Sequence, residues 1–159
     1  MSLVIRDGAP DDAPIVFALV VALAEYERLA HEVVSSAEDF RRAMAEESVR
    51  VLIAEMDGEA CGFALYFFNF STFLGRRGVY LEDLFVTPSR RGGGIGRALL
   101  ARLAAIAKAE DCARLDWQVL DWNAPAIAFY KGLGAVPLDQ WTTFRVAGPA
   151  LDALARDDG

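Results

Sequence analysis

Cysteine and histidine are scarce in this chain of 159 residues, which contains two cysteines and one histidine. Cys61 and Cys112 do not have metal-ligand spacing, and neither has a neighbouring histidine that would mark a thiol nucleophile. His31 lies in a segment that we interpret as an exposed loop without a catalytic role. These scarcities predict reduced thiols, no metal and a cytoplasmic location.

Long apolar runs and a secretory signal are also absent from the sequence. The longest apolar run, from Ala13 to Ala24, is shorter than the about 18 residues that a membrane-spanning helix needs. The first residues have no basic region followed by an apolar segment, so we expect neither secretion nor a membrane partner. Apolar residues nevertheless make up 54% of the chain, which predicts one folded domain over residues 1–159.

Positively charged residues are fewer than negatively charged ones, since the sequence contains 16 Lys and Arg residues and 23 Asp and Glu residues. The formal net charge is −7 and the isoelectric point is about 4.7. Since binding to a phosphate backbone needs a basic surface, nucleic acid is excluded as the main partner. An acidic surface fits a cationic substrate.

Hydrophobic periodicity predicts an α/β fold in the order strand, two helices, hairpin, strand, helix, strand, helix, strand. Asp57-Gly58 marks the hairpin turn. We expect the last strands at Val136–Pro137 and Trp141–Val146, and a weak final helix at Pro149–Arg156. The prediction is a mixed sheet of about six to seven strands flanked by about four helices, with a parallel pair near a glycine-rich segment.

The glycine-rich segment, Arg90 to Gly96, reads Arg-Arg-Gly-Gly-Gly-Ile-Gly and separates a strand, Val79–Thr87, from a helical pattern, Arg97–Lys108. Glycine loses more conformational entropy on folding than any other residue, so four glycines here require an explanation. A plain turn would need only one or two. We interpret the segment as a loop whose N–H groups bind an anion at a helix N-terminus, where the helix dipole also favours negative charge.

Two common phosphate-binding patterns do not fit this loop. A Walker loop requires a lysine after its glycines, and none follows. The Gly-x-Gly-x-x-Gly pattern of dinucleotide-binding proteins fails because Arg97 or Leu99 stands at its last position. The remaining pattern is Arg91-x-x-Gly94-x-Gly96 directly after a strand.

Carboxylates interrupt two apolar segments. Glu82 and Asp83 lie within the strand that precedes the glycines, where strict alternation would place them on opposite faces. A carboxylate buried on a central strand costs free energy unless it has a function or an ion-pair partner. This cost favours a function for at least one of the two residues. Glu25 and Glu27 oppose the helix dipole in the last turn of the first helix, which suggests cation binding.

The segment that follows the next predicted strand begins with a helix start signal. Asn123 is a good N-cap residue, and Pro125 falls in the first turn. The helix carries Phe129-Tyr130 and ends before Gly134.

Together, Arg91-x-x-Gly94-x-Gly96, Asn123-x-Pro125 and Phe129-Tyr130 with Leu133-Gly134-Ala135 resemble the GNAT N-acetyltransferases over essentially the whole chain. Three further segments, at 23–27, 80–86 and 120–123, resemble the diamine (spermidine/spermine) N-acetyltransferase branch, which also contains enzymes acting on thialysine and other small amines.

The resemblance implies acetyl-CoA as co-substrate and a homodimer as the assembly. It implies Tyr130 as the proton donor to the departing thiolate and Glu82 as the acid that accepts the amine proton, directly or through water. The implied contacts to coenzyme A are Leu84, Phe85, Val86, Arg91, Gly92, Gly93, Gly94, Ile95, Gly96, Arg97, Asn123, Ala124, Pro125, Ala126 and Tyr130. The implied amine site comprises Tyr26, Glu27, Glu82, Asp83 and Trp122, with Asp139 replacing an acidic contact.

One departure from the branch concerns the acceptor. Ser71-Thr72-Phe73 stands where the polyamine enzymes carry an acid and a tryptophan, and it is more similar to the thialysine-type members. The expected activity is acetyl transfer to a primary amine of a small cationic substrate: a diamine, polyamine, thialysine or lysine-like molecule. Two alternatives remain open: a peptide or protein N-acetyltransferase, and a non-catalytic acyl-CoA-binding regulatory module on the same fold.

Overall fold

A five-stranded mixed sheet forms the centre of the computed structural model, which describes residues 2–159. The spatial order of the strands equals their order in the chain. Strands β1 to β4 are antiparallel to their neighbours, whereas β4 and β5 are parallel. The strands are β1 (Leu3–Asp7), β2 (Arg50–Met56), β3 (Glu59–Ser71), β4 (Arg76–Val86) and β5 (Leu115–Trp117).

Five α-helices and three short 3-10 helices complete the described part of the chain. The α-helices are α1 (Ala13–Tyr26), α2 (Ala37–Ala45), α3 (Ile95–Ala109), α4 (Ala124–Gly132) and α5 (Gly148–Arg156). The 3-10 helices are Pro10–Asp12, Ala30–Glu32 and Pro88–Arg90. Within residues 2–159, no helix combines the length and the apolar character that spanning a bilayer requires.

The chain divides into two compact units between Gln118 and Val119. The first unit contains the whole sheet and helices α1 to α3, and the second contains α4 and α5. The single domain predicted for residues 1–159 stays a prediction.

Apolar side chains from α1, α2 and three strands form the core on one face of the sheet. Its buried members are Val16, Leu19, Leu23, Met44, Val51, Ile53, Phe63, Leu65 and Phe85. Helix α3 contacts the sheet as well, but its buried side chains, such as Leu99 and Leu103, are not part of this cluster. Helix α3 therefore covers the opposite face, as a helix joining two parallel strands commonly does.

The predicted α/β fold class is confirmed, but the predicted count of six to seven strands was too high. Residues 119–159, all of which the structure describes, contain no strand, although two were expected there. Strand-forming residues pair only where a neighbouring strand offers hydrogen bonds and packing. Trp141 and Phe144 are instead 79% and 90% exposed. The final helix is present, which brings the α-helix count to five.

Candidate active site

An extra residue in β4 interrupts its pairing with β3. Leu65 pairs with Asp83, whereas the next residue of β3, Tyr66, pairs with Leu81. Glu82 therefore has no pairing partner on β3. An extra, unpaired residue in one of two paired strands is a β-bulge. Bulges redirect side chains and are common beside active sites.

The bulge determines which face of the sheet Asp83 occupies. Beyond it, Asp83 pairs with Leu65 and Phe85 pairs with Phe63. Since Leu65, Phe63 and Phe85 all belong to the core beneath α1 and α2, Asp83 lies on that face too. Without the extra residue, the alternation of the strand would send Asp83 to the α3 face.

Three carboxylates approach one another where α1 ends over this face. Glu27 is the C-cap residue of α1, and Glu82 and Asp83 lie on β4. Burial, followed by the negative charges of Glu82 and Glu27, raises the pKa of Asp83 to about 6. Burial also raises the pKa of Glu27. A cation bound among these groups would relieve both their repulsion and part of their desolvation cost.

The carboxyl-terminal half of β4 has a strand neighbour on one side only. The parallel pairing with β5 ends at Leu81 opposite Trp117, while the pairing with β3 continues to Val86. On the side away from β3, residues 82–86 therefore have no strand partner within residues 2–159. Ligands of open α/β sheets bind where neighbouring strands diverge at their carboxyl ends.

The glycine-rich loop follows this half-paired segment directly. Gly92 and Gly94 have φ angles of +83° and +82°, which L-residues with a side chain rarely adopt. A Cβ atom on either residue would have no other atom within 4 Å, so their backbone faces open space. This backbone conformation explains two of the four glycines.

Helix α3 begins immediately after the loop, and its N-terminus is open. Gly94 is the N-cap residue and has no side chain with which to accept the first N–H groups. Ile95, which is 2% exposed, fixes the first turn in the core, and Gly96 and Arg97 follow it. Unpaired N–H groups and the helix dipole make this terminus suitable for an anion, and the anion site itself stays a prediction.

Arg91 connects the loop with the acidic end of α1. Its Nε donates a hydrogen bond to the backbone carbonyl of Val86 at 2.9 Å. Its guanidinium carbon lies 4.4 Å from the ring centroid of Tyr26 and 5.3 Å from that of Phe85. The arginine therefore joins residues that the sequence had assigned to different ligands, Tyr26 to the amine and Phe85 to coenzyme A.

The remaining predicted site residues lie in the second unit. The Asn123 side chain accepts a hydrogen bond from the Ala126 N–H at 3.4 Å, and Ala124 and Pro125 form the first turn of α4. The predicted N-cap is thus confirmed. Tyr130 lies in the same helix, with its ring centroid 5.6 Å from that of Phe129.

Two further predicted residues of this unit are exposed. Trp122, directly before the N-cap of α4, is 52% exposed. Asp139 is exposed and lies outside the helices and strands. The assignment of Trp122 and Asp139 to the amine site stays a prediction.

Sequence reasoning missed one residue that shapes the site. Gly62 on β3 pairs with Val86, and a Cβ atom there would lie 2.8 Å from the backbone oxygen of Phe85. Glycine therefore permits the close approach of β3 to the end of β4. A glycine inside an apolar strand is the signal that could have indicated it.

Comparisons with known proteins agree with this architecture. A family model described as "Acetyltransferase (GNAT) family" matches residues 19–135. Thialysine N-epsilon-acetyltransferase from Caenorhabditis elegans is 36% identical over 149 residues, which cover 92% of this chain and 92% of the relative. The protein of the same name from Mus musculus is 37% identical over 164 residues, covering 95% of this chain and 96% of the relative.

A solved structure is similar over the same extent. It is an integron cassette protein from the mobile metagenome of V. cholerae, with a TM-score of 0.82 and 30% sequence identity. The match covers 98% of this chain and 99% of that chain.

Asp83→Asn is expected to stabilise the protein at pH 7. The folded-state pKa of about 6 exceeds the ordinary value of 3.8, so the folded chain binds this proton more tightly than the unfolded chain. Stability is therefore lost as the pH rises from about 4 through 6, by at most about 3 kcal/mol. Urea denaturation should show a gain of roughly 1–3 kcal/mol at pH 7, and under about 1 kcal/mol at pH 4.

Asp152→Asn, an exposed change on α5, is the matched control and should be neutral at both pH values. An equal effect of Asp83→Asn at pH 4 and pH 7 would contradict a raised carboxyl pKa.

Proposed function

This chain belongs to the acetyltransferase (GNAT) family, and we propose that it transfers an acetyl group from acetyl-CoA to a primary amine of a small cationic substrate. The observation that carries the proposal is the group of three carboxylates, Glu27, Glu82 and Asp83, beside the half-paired end of β4. The names of the relatives favour thialysine or a lysine-like amine, with diamines and polyamines in the same chemical class.

The loop and α3 are proposed to hold the pyrophosphate of acetyl-CoA through Arg91–Arg97. The left-handed glycines and the open helix N-terminus fit an anion of that kind. Leu84–Val86 are proposed to contact the acetyl group and pantetheine through their backbone, and Asn123–Ala126 are proposed as a further contact. Acetyl-CoA supplies the activated acetyl thioester. A cytoplasmic location is part of the same proposal.

The acidic group is proposed to bind the acceptor and to prepare it for reaction. An alkyl amine has a pKa of about 10.4, so it arrives protonated and cannot act as a nucleophile. Glu27 and Asp83 attract the cation, and the exposed Glu82 accepts its proton, directly or through water. Asp83 is the second candidate base, since its carboxyl pKa of about 6 lies closer to neutral pH than the ordinary value of 3.8.

The remaining residues of the proposed amine site are Tyr26, Trp122 and Asp139.

The transfer itself is proposed to occur in a ternary complex, without an acylated enzyme. The neutral amine nitrogen forms the C–N bond as the C–S bond breaks, and the oxygen charge is stabilised by backbone N–H groups near Phe85 and Val86. Tyr130 then donates its proton to the departing thiolate, and the second proton, which the nitrogen loses as the amide forms, restores the Tyr130 hydroxyl.

A homodimer is proposed as the assembly, and exposed apolar side chains of the second unit support it. Val136, Leu138, Trp141 and Phe144 are between 63% and 90% exposed. Extensive exposure of large apolar side chains commonly marks a protein interface.

Release of free thiol from acetyl-CoA tests the proposed activity directly. Thialysine, lysine, 1,4-diaminobutane and spermidine are supplied separately, with a mixture lacking amine as the blank. We expect turnover with at least one of these amines, increasing with pH as the free amine becomes more abundant. Turnover with a lysine-containing peptide in a further reaction, but with none of the four amines, would indicate a peptide acetyltransferase. Thermal stabilisation by acetyl-CoA without any turnover would indicate a binding module. Either result would contradict the proposal.

Tyr130→Phe is expected to lower kcat by roughly 10- to 10⁴-fold, the range for general acid–base catalysis. The KM for acetyl-CoA should change little, because only the hydroxyl group is removed. Phe129→Leu on the same helix is the matched control, and it should retain most of kcat. A Tyr130→Phe enzyme with nearly unchanged kcat would remove this residue from the chemistry.

Light scattering of the purified protein should give twice the 17.3 kDa mass of one chain. Phe144→Glu is expected to shift the mass towards one chain, because it places a charge within the exposed apolar segment. Phe73→Glu, which alters a fully exposed aromatic residue outside that segment, serves as the control. A single-chain mass for the unmodified protein at micromolar concentration would refute the dimer.

A further inference from the structure

An open cavity of about 310 Å³ lies in the first unit where β1 ends and β2 begins. None of its lining residues belongs to the candidate active site. The β3 residues that line it, Tyr66 and Phe68, pair with Leu81 and Val79, on the other side of the bulge from Asp83. Its polar lining comprises Asp7, Glu47, Arg50, Tyr66 and Glu110.

Tyr66 is a buried polar side chain whose hydroxyl forms no hydrogen bond with another residue of the described range, 2–159. The residue is 4% exposed, and its ring contacts Phe68 edge-to-face. Among the described residues, no side-chain polar atom is both fully enclosed and unpaired, so the Tyr66 hydroxyl remains accessible, and the residue lines the cavity. Burial and the charges of Asp7 and Glu110 raise the pKa of Tyr66, whereas Arg50 lowers it, which places these charges near the phenol.

The charges around the cavity are mixed, with an excess of one carboxylate. Within residues 2–159 Asp7 forms no ion pair, whereas Glu47 lies 3.9 Å from Arg50 and Glu110 forms a 2.9 Å ion pair with Arg77. The guanidinium groups of Arg77 and Arg50 also lie over the Phe68 ring, at 4.4 Å and 5.6 Å from its centroid. Asp7 is therefore the carboxylate of the lining that is available to a cationic ligand.

Apolar side chains form the rest of the lining. They are Met44, Val49, Val51, Phe68 and Ile106. An apolar wall beside a few convergent polar groups is the general character of a small-molecule site. The lining therefore suits a cationic group attached to a short hydrocarbon chain, rather than a bare metal ion.

We propose that this cavity binds a primary alkylammonium ion at a site separate from the acetyl acceptor. The ammonium group donates hydrogen bonds to the Asp7 carboxylate and to the Tyr66 phenolic oxygen. The alkyl chain packs against Val49 and Ile106. Binding at this cavity requires no acetyl-CoA. The proposal therefore does not depend on whether the protein acetylates an amine.

Titration with n-butylammonium chloride, without acetyl-CoA, tests the site through backbone amide NMR signals. We expect saturable shifts at residues 7–8, 47–51 and 66–68. The neutral n-butanol should produce no saturable shift there. Any binding at the acceptor site would appear separately, at residues 26–27 and 82–86.

Asp7→Asn and Tyr66→Phe should each weaken binding at this cavity by roughly 10-fold, the effect of losing a hydrogen bond to a charged group. Shifts at residues 82–86 should be unaffected in both. Asp152→Asn is the control and should leave the affinity unchanged. Tyr66→Phe removes a hydroxyl that forms no hydrogen bond within residues 2–159, and Asp7 is exposed, so both proteins should fold.

Three outcomes would overturn the proposal. The first is the absence of saturable shifts in the cavity, which would mean that it holds only water. The second is an equal response to n-butanol. The third is an unchanged dissociation constant in both Asp7→Asn and Tyr66→Phe.

Discussion

One extra residue in β4, Glu82, sets the geometry on which the candidate active site depends. The bulge places Asp83 and Phe85 on the face covered by α1, so a carboxylate and a core aromatic share one side of the strand. The same region is where the pairing with β5 stops. A bulge increases local twist and interrupts the ladder, which is compatible with strands that separate at this point. The β-bulge at Glu82 therefore lies beside both the group of three carboxylates and the edge of β4 that β5 leaves unpaired.

The acidic group carries a cost that the fold must offset elsewhere. Asp83 is held near Glu82 and Glu27, and both burial and their charges disfavour its ionised form. Cores gain stability from apolar burial, at about 25 cal/mol per Å², and a half-buried carboxylate at that position loses part of this gain. Destabilised charged groups are commonly retained at functional sites because they match the charge of a ligand. Their presence beside an exposed strand edge supports a cationic acceptor.

Arg91 shows how the two halves of the proposed reaction are joined in the first unit. Its side chain is bonded to the end of β4 and stacked on Tyr26, while its backbone begins the glycine-rich turn. The cation–π contact and the hydrogen bond hold the guanidinium on the strand side. In the proposed anion site, the contacts would therefore come from backbone N–H groups and the helix terminus, while the Arg91 side chain holds the loop against α1.

The sequence by itself determined the fold class, the hairpin at Asp57-Gly58, the glycine-rich loop before α3 and the N-cap at Asn123. Each of these depends on local preferences: left-handed glycines, side-chain capping and hydrophobic periodicity. The family followed from the same motifs. Local patterns also predicted too many strands. The strand propensity of Trp141–Val146 cannot indicate whether a neighbouring strand is available for pairing.

Only the tertiary structure decided which carboxylate has a perturbed pKa, which face it occupies and what Arg91 contacts. Simple alternation along β4 predicted that Glu82 and Asp83 lie on opposite faces. In the structure, Glu82 is an extra residue of β4 that has no pairing partner on β3. Register and burial arise from contacts between residues far apart in the chain, and neither is encoded in a local pattern. For the same reason, the sequence could not reveal that Tyr66 lines a cavity together with Asp7 and Arg50, away from the candidate active site.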